Sequence, residues 1–93
     1  MKYRTRLGII LTEIGGKELL VCAGALRNEM PYVTEVNETA SECWKLLNEG
    51  NDEEEIIDHF QKEYKEADSA MIKADLERLF QELNDKGYIE RIE

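Results

Sequence analysis

The hydrophobic period of this chain changes once, at Asn37, and that change limits the possible folds more than any other feature. Before Asn37 the apolar residues alternate or fall in short β-branched runs. After it they recur at spacings of three and four, which marks one face of a helix. A chain of 93 residues has room for one modest core, so the expected unit is a single domain over 1–93. Its strands should lie within 6–36 and its helices within 37–86. The fold class is therefore α+β, a small antiparallel sheet followed by helices.

The strand half reads in three pieces. Leu7 to Ile14 alternates loosely, with Leu7, Ile9 and Leu11 on one side and Ile10, Thr12 and Ile14 on the other. Gly15-Gly16 suits a tight hairpin, because both residues can take positive φ. Lys17 to Ala23 resumes as the second strand. Gly24 to Pro31 forms a longer connection, with Asn28 and Pro31 as breakers. Tyr32 to Val36 is β-branched and alternating, and makes the third strand.

Three helices follow. Asn37 is the expected N-cap of the first, whose stripe is Ala40, Cys43, Trp44 and Leu47, with Gly50 as its C′ residue. Asp52 caps the second, with Glu55 three positions on in capping-box spacing and Ile56, Ile57, Phe60 and Tyr64 as the stripe. Four consecutive acids, Asp52 to Glu55, suit the positive end of that helix. The third starts at Asp68 or Ser69, and its stripe is Ile72, Leu76, Leu79, Phe80 and Leu83. Lys86-Gly87 ends it, and Tyr88 to Ile92 alternates as a terminal strand would.

Charge divides at the same place as the period. The chain holds 12 basic and 21 acidic residues, net −9; residues 1–36 hold five and four, so residues 37–93 hold seven and 17, net −10. Such a balance opposes a phosphate-neutralising role, since affinity for nucleic acid comes from Lys and Arg displacing counterions. It opposes anionic lipid surfaces for the same reason.

Other classes are disfavoured by what the sequence lacks. No apolar run approaches the roughly 20 residues that span a bilayer. The N-terminus has basic residues but no secretory h-region. Cys22 and Cys43 form neither a CxxC pair nor a disulfide framework, which suggests a reduced, cytoplasmic protein with two buried thiols. His59 is the single histidine and falls off the apolar stripe, as a surface histidine would. No nucleophile–base pair, phosphate loop or metal-ligand cluster is visible, so no catalytic residue, metal or cofactor is expected.

The ordered motifs resemble one family. Val36-Asn37-Glu38-Thr39-Ala40 followed by Trp44-Lys45-Leu46-Leu47 resembles a segment of PqqD-like proteins, the peptide-recognition domains of ribosomally made, modified peptide pathways. The likeness continues through Glu49-Gly50 and the segment from Glu54 to Tyr64. It ends with Ala74-Asp75-Leu76, Leu79-Phe80, Leu83 and Lys86 to Glu90, and spans roughly residues 6–91. Val36 departs from the usual leucine, and the connection before the third strand is longer than is typical.

The resemblance implies a winged-helix-like fold and a binding module without chemistry of its own. Such domains capture the leader of a precursor peptide and present it to a modifying enzyme, often a radical-SAM enzyme. The leader would add a strand beside the third strand and lay side chains against the third helix. On that basis the expected peptide-binding residues are Tyr32, Val33 and Thr34 on the strand and Met71, Asp75, Arg78 and Leu79 on the helix. Lys73 and Phe80 occupy the opposite flank of that helix, and spacing alone leaves open which flank meets the strand. The expected state is a monomer or weak dimer.

Two alternatives share the topology. A winged-helix DNA-binding regulator would present basic residues on its third helix, yet Lys73, Arg78 and Lys86 are outnumbered by Asp75, Glu77, Glu82 and Asp85. A structural or dimerisation subunit would use the same edge or groove against its own copy.

Overall fold

A computed structural model describes residues 2–24 and 33–92 of the chain. The elements run β1 (Tyr3–Thr5), β2 (Ile9–Ile14), β3 (Lys17–Cys22), β4 (Thr34–Val36), α1 (Glu38–Asn48), α2 (Glu53–Glu63), α3 (Ser69–Asp85) and β5 (Ile89–Arg91). The fold is α+β, as the change of period at Asn37 implies. The third strand expected from the sequence is β4, shortened at its start: it begins at Thr34, and Tyr32 lies outside the described residues.

Two sheets form. One has the order β2-β3-β4, antiparallel throughout, and the other pairs β1 with β5. The β2–β3 turn is Gly15-Gly16 at φ +62° and +81°, the left-handed conformation that a two-residue hairpin requires. It sets the register Ile14↔Lys17 through Ile9↔Cys22. Alternation then puts Ile9, Leu11, Leu20, Cys22, Thr34 and Val36 on one face of the sheet. That face meets the helices: Leu20 is fully buried, and Leu11, Cys22 and Val36 pack on the core. Ile10 and Ile14 on the other face are exposed.

Each helix starts where a short polar side chain replaces a missing backbone partner. Asn37 Oδ1 accepts from the Ala40 N–H at 2.8 Å. Asp52 Oδ1 accepts from the Glu55 N–H at 2.9 Å, and Glu55 Oε1 accepts from the Asp52 N–H at 3.0 Å, a complete capping box. Asp68 Oδ1 accepts from the Ala70 N–H at 2.8 Å, so Asp68 is the cap and Ser69 the first helical residue.

The core joins both halves. Cys43, Ile56, Phe80, Tyr88 and Leu20 are sealed from solvent, with Trp44 and Leu47 close behind. Burial pushes the Cys43 thiol up to about 12, as expected of an inert, apolar thiol. Cys22 is only half-buried.

Three expectations need correction. Leu7 does not belong to the first strand; it lies in a turn before β2 and is 96% exposed. Tyr64 does not continue the apolar stripe of α2. It leaves helical geometry as the C-cap and is exposed, stacking on Phe60 at 6.2 Å. Finally, β1 was not expected at all. It exists because β5 lies opposite it, with Arg4 Nη2 3.1 Å from Glu90 Oε2 and the Tyr3 ring stacked on Phe80 at 5.5 Å.

Candidate functional site

Among the described residues no strand pairs with the outer side of β4, and the hairpin register shows which groups face it. In antiparallel pairs, residues alternate between exchanging backbone hydrogen bonds and turning those groups away. The Ala23 N–H donates to Gly8 O at 2.7 Å, in step with Ile10↔Val21, Thr12↔Leu19 and Ile14↔Lys17. Those β3 residues bond toward β2, so Glu18 and Leu20 bond toward β4, where they face Val36 and Thr34. Thr34 and Val36 therefore commit their backbone to β3. Glu35 turns its N–H and C=O outward, and the C=O of Val33, opposite the Thr34 N–H in the same peptide unit, turns outward as well.

Side chains follow the opposite logic. Thr34 points inward, and its hydroxyl hydrogen-bonds the hydroxyl of buried Tyr88. Val33 is 57% exposed. Of the three strand residues expected from the sequence, Val33 lies exposed just before the strand, Thr34 anchors the strand from behind, and Tyr32 is outside the described residues. Glu35 joins the edge; its parity depends on the β3–β4 register, which no local pattern determines.

The two flanks of α3 face different surroundings. Phe80 is buried against Tyr3 of β1. Lys73 and Glu77 share that flank, near buried Glu53; burial above all, with Glu77 adding, raises the Glu53 carboxyl above its ordinary value, while Lys73 lowers it. The Met71, Asp75 and Arg78 flank is exposed, with Met71 at 63%. Arg78 Nη1 lies 3.9 Å from Asp75 Oδ1. Leu79 is half-buried at the margin of the core.

Asp75 also lines a cleft of about 170 Å³ with Ile72, Leu76, Phe60, Tyr64 and Thr39. The cleft thus lies between the start of α1, the end of α2 and the Asp75 flank of α3. Apolar walls with one carboxylate and one hydroxyl suit an apolar side chain with a polar neighbour.

His59 is exposed, as its spacing implies, but it has partners. Its Nε2 lies 3.2 Å from Glu42 Oε1 and 3.1 Å from Glu63 Oε2. The three ligand-type atoms lie within 4.8 Å of one another, so these are the described residues that could share a metal ion. A larger hollow of about 520 Å³ lies beside β1, where Arg4 and Arg6 are both held to Glu90, at 3.1 and 3.9 Å. Among the described residues no helix is long and apolar enough to cross a membrane.

Comparison with known proteins returns a family and a similar fold. Residues 26–89 match the family described as coenzyme PQQ synthesis protein D, PqqD. Among solved structures the chain is similar to TbiB1 in complex with the TbiA(beta) leader peptide. The TM-score is 0.78 at 23% identity, covering 97% of this chain and 98% of that one. No curated protein sequence matches.

Proposed function

Because this chain belongs to the coenzyme PQQ synthesis protein D family, we propose that it is a noncatalytic module that captures the leader of a ribosomal precursor peptide. The leader adds a strand at the free edge of β4 beside α3, and the module presents it to a modifying enzyme of the radical-SAM class. All of 1–93 serves as one cytoplasmic recognition unit. The observation that carries this reading is the outer edge of β4, where among the described residues no strand pairs and Glu35 turns its backbone groups outward. That the similar structure TbiB1 holds a leader peptide supports it.

The energetics fit such a site. Four backbone hydrogen bonds contribute about 4 kcal/mol net at roughly 1 each. Micromolar affinity needs about 8 kcal/mol. Two apolar anchors of roughly 2 kcal/mol each supply the difference, and the cleft beside Ile72 and Tyr64 can seat one. Holding a precursor beside an enzyme raises its effective concentration to about millimolar, so a module without chemistry can still accelerate a reaction.

The test is titration of a labelled leader peptide, taken from the precursor gene beside this one, followed by amide chemical shifts. Shifts at Val33, Glu35 and the 71–79 face of α3 support the reading. Shifts confined to other surfaces would sink it.

A DNA-binding role finds no support in the same surface. Arg78 is tied to Asp75, and the exposed face of α3 also carries Glu77, Glu82 and Asp85.

A further inference from the structure

One imidazole and two carboxylates converge where α1 meets α2, and none of the three lines the Asp75 cleft. His59 and Glu63 stand four residues apart on α2, so one helical turn sets them on the same face. Glu42 reaches them from α1. The helices that carry these donors are held by the core. Cys43 and Trp44 beside Glu42 are buried, and so is Phe60 beside His59. The Phe60 ring also meets the imidazole edge-on at 5.4 Å.

A proton serves this arrangement poorly. His59 Nε2 lies 3.2 Å from Glu42 Oε1 and 3.1 Å from Glu63 Oε2. That nitrogen carries at most one hydrogen, so two carboxylates share one donor or face a lone pair. No stronger cation relieves them. Among the described residues no Lys or Arg pairs with Glu42 or Glu63: Lys62 Nζ is turned to Asp58 at 2.9 Å, and Lys45 Nζ lies 4.0 Å from Glu18.

A metal ion bonds all three groups at once. Zinc takes imidazole nitrogen and carboxylate oxygen at roughly 2.0–2.2 Å, so neighbouring donors around a tetrahedral ion stand about 3.3 Å apart. The two spacings from Nε2 already approach that value, and one ligand atom from each residue lies within 4.8 Å of the other two. Rotation of the glutamate carboxylates, whose terminal torsions are soft, closes the remaining side. The three side chains keep 42, 35 and 44% of their surface exposed, so an ion can enter from solvent.

We propose that Glu42, His59 and Glu63 bind a zinc-type divalent cation, with water in the fourth position. The mixed nitrogen and oxygen set selects against magnesium and calcium, which favour oxygen alone. The ligands come from two helices and meet only when α1 and α2 are packed. The ion therefore fastens that helix pair and stabilises the folded chain. This site and the peptide edge share no residue, so each stands without the other.

The test is calorimetric titration of the intact, chelator-treated chain with zinc chloride, alongside magnesium chloride at the same concentration. One equivalent of zinc should saturate the chain, shift the His59 imidazole signals and raise the melting temperature; magnesium should do none of these. His59→Gln and Glu42→Gln change exposed side chains, and each should weaken zinc more than about tenfold, since loss of even a supporting partner costs a metal site that much. Melting of each variant without metal checks that it folds. Glu54→Gln, an exposed acid elsewhere on α2, should leave affinity unchanged. Equal responses to zinc and magnesium, equal losses in Glu54→Gln and Glu42→Gln, or zinc binding that survives His59→Gln and disappears in Cys22→Ser would each overturn the assignment.

Discussion

The three-stranded sheet has two outer strands, β2 and β4, and they differ in what surrounds them rather than in backbone chemistry. By the same alternation, β2 turns Leu11 and Glu13 outward and β4 turns Glu35 outward. Either could accept another strand. Among the described residues, β4 leads directly into α1, whose Thr39 lines the Asp75 cleft. The chain at the start of β2 instead leads back to Arg4 and Arg6, which are already engaged by Glu90. A free edge supplies affinity without selectivity; the neighbouring side chains decide which edge becomes a site.

The comparison breaks most directly at Glu35. Proline there removes an outward donor and leaves the β3 ladder intact, so leader affinity should fall by about 30-fold or more, with little change in melting temperature. Calorimetric titration paired with thermal unfolding checks both parts. Next is Thr34→Val, which removes the hydroxyl that holds β4 to Tyr88. We expect about 1 kcal/mol lost in urea unfolding and a several-fold weaker complex. Asp75→Asn keeps the shape of the cleft and removes its charge, and should change affinity by about threefold or less.

The control on the other outer strand is Glu13→Pro, which removes an outward donor from β2. Leader affinity should stay within about twofold, and a loss matching that of Glu35→Pro would mean the two edges are equivalent.

A last prediction concerns Glu53 at the start of α2. The Glu53 carboxyl is raised, mainly by burial, so the folded chain holds its proton more tightly than the unfolded chain does. Stability from this group is greatest below the ordinary glutamate range and declines as pH rises through the raised value. Glu53→Gln should flatten that decline in unfolding measured against pH, without altering leader affinity.

What the sequence disclosed and what it withheld follow one physical division. Caps and turns are local. Asn37, Asp52 with Glu55, and Gly15-Gly16 each act within four residues, and each could be read directly. The helix stripes were legible for the same reason, up to Tyr64, where the chain leaves the helix. Pairings between distant segments were not legible. Tyr3-Arg4-Thr5 has too few residues to show a period, and its partner strand starts at Ile89. The hairpin glycines determine the parity of β3, but the outward turn of Glu35 also needs the register of β4 on β3. The meeting of Glu42 with His59 and Glu63 depends on how α1 and α2 pack. On α3, the Met71 and Asp75 flank could be listed from spacing; that the Phe80 flank meets β1 became visible only with Phe80 stacked on Tyr3.

The brevity of β4 has a consequence for solubility. A free strand edge that recruits a peptide can also recruit another copy of the chain, and long, flat, apolar edges of that kind nucleate aggregates. Here the paired strand is three residues long with Glu35 at its centre, and each copy carries a net charge of −9. Two copies meeting edge to edge would bring like charges together over a ladder too short to offset them. Charge and brevity therefore protect this edge from polymerising without a covering strand among the described residues.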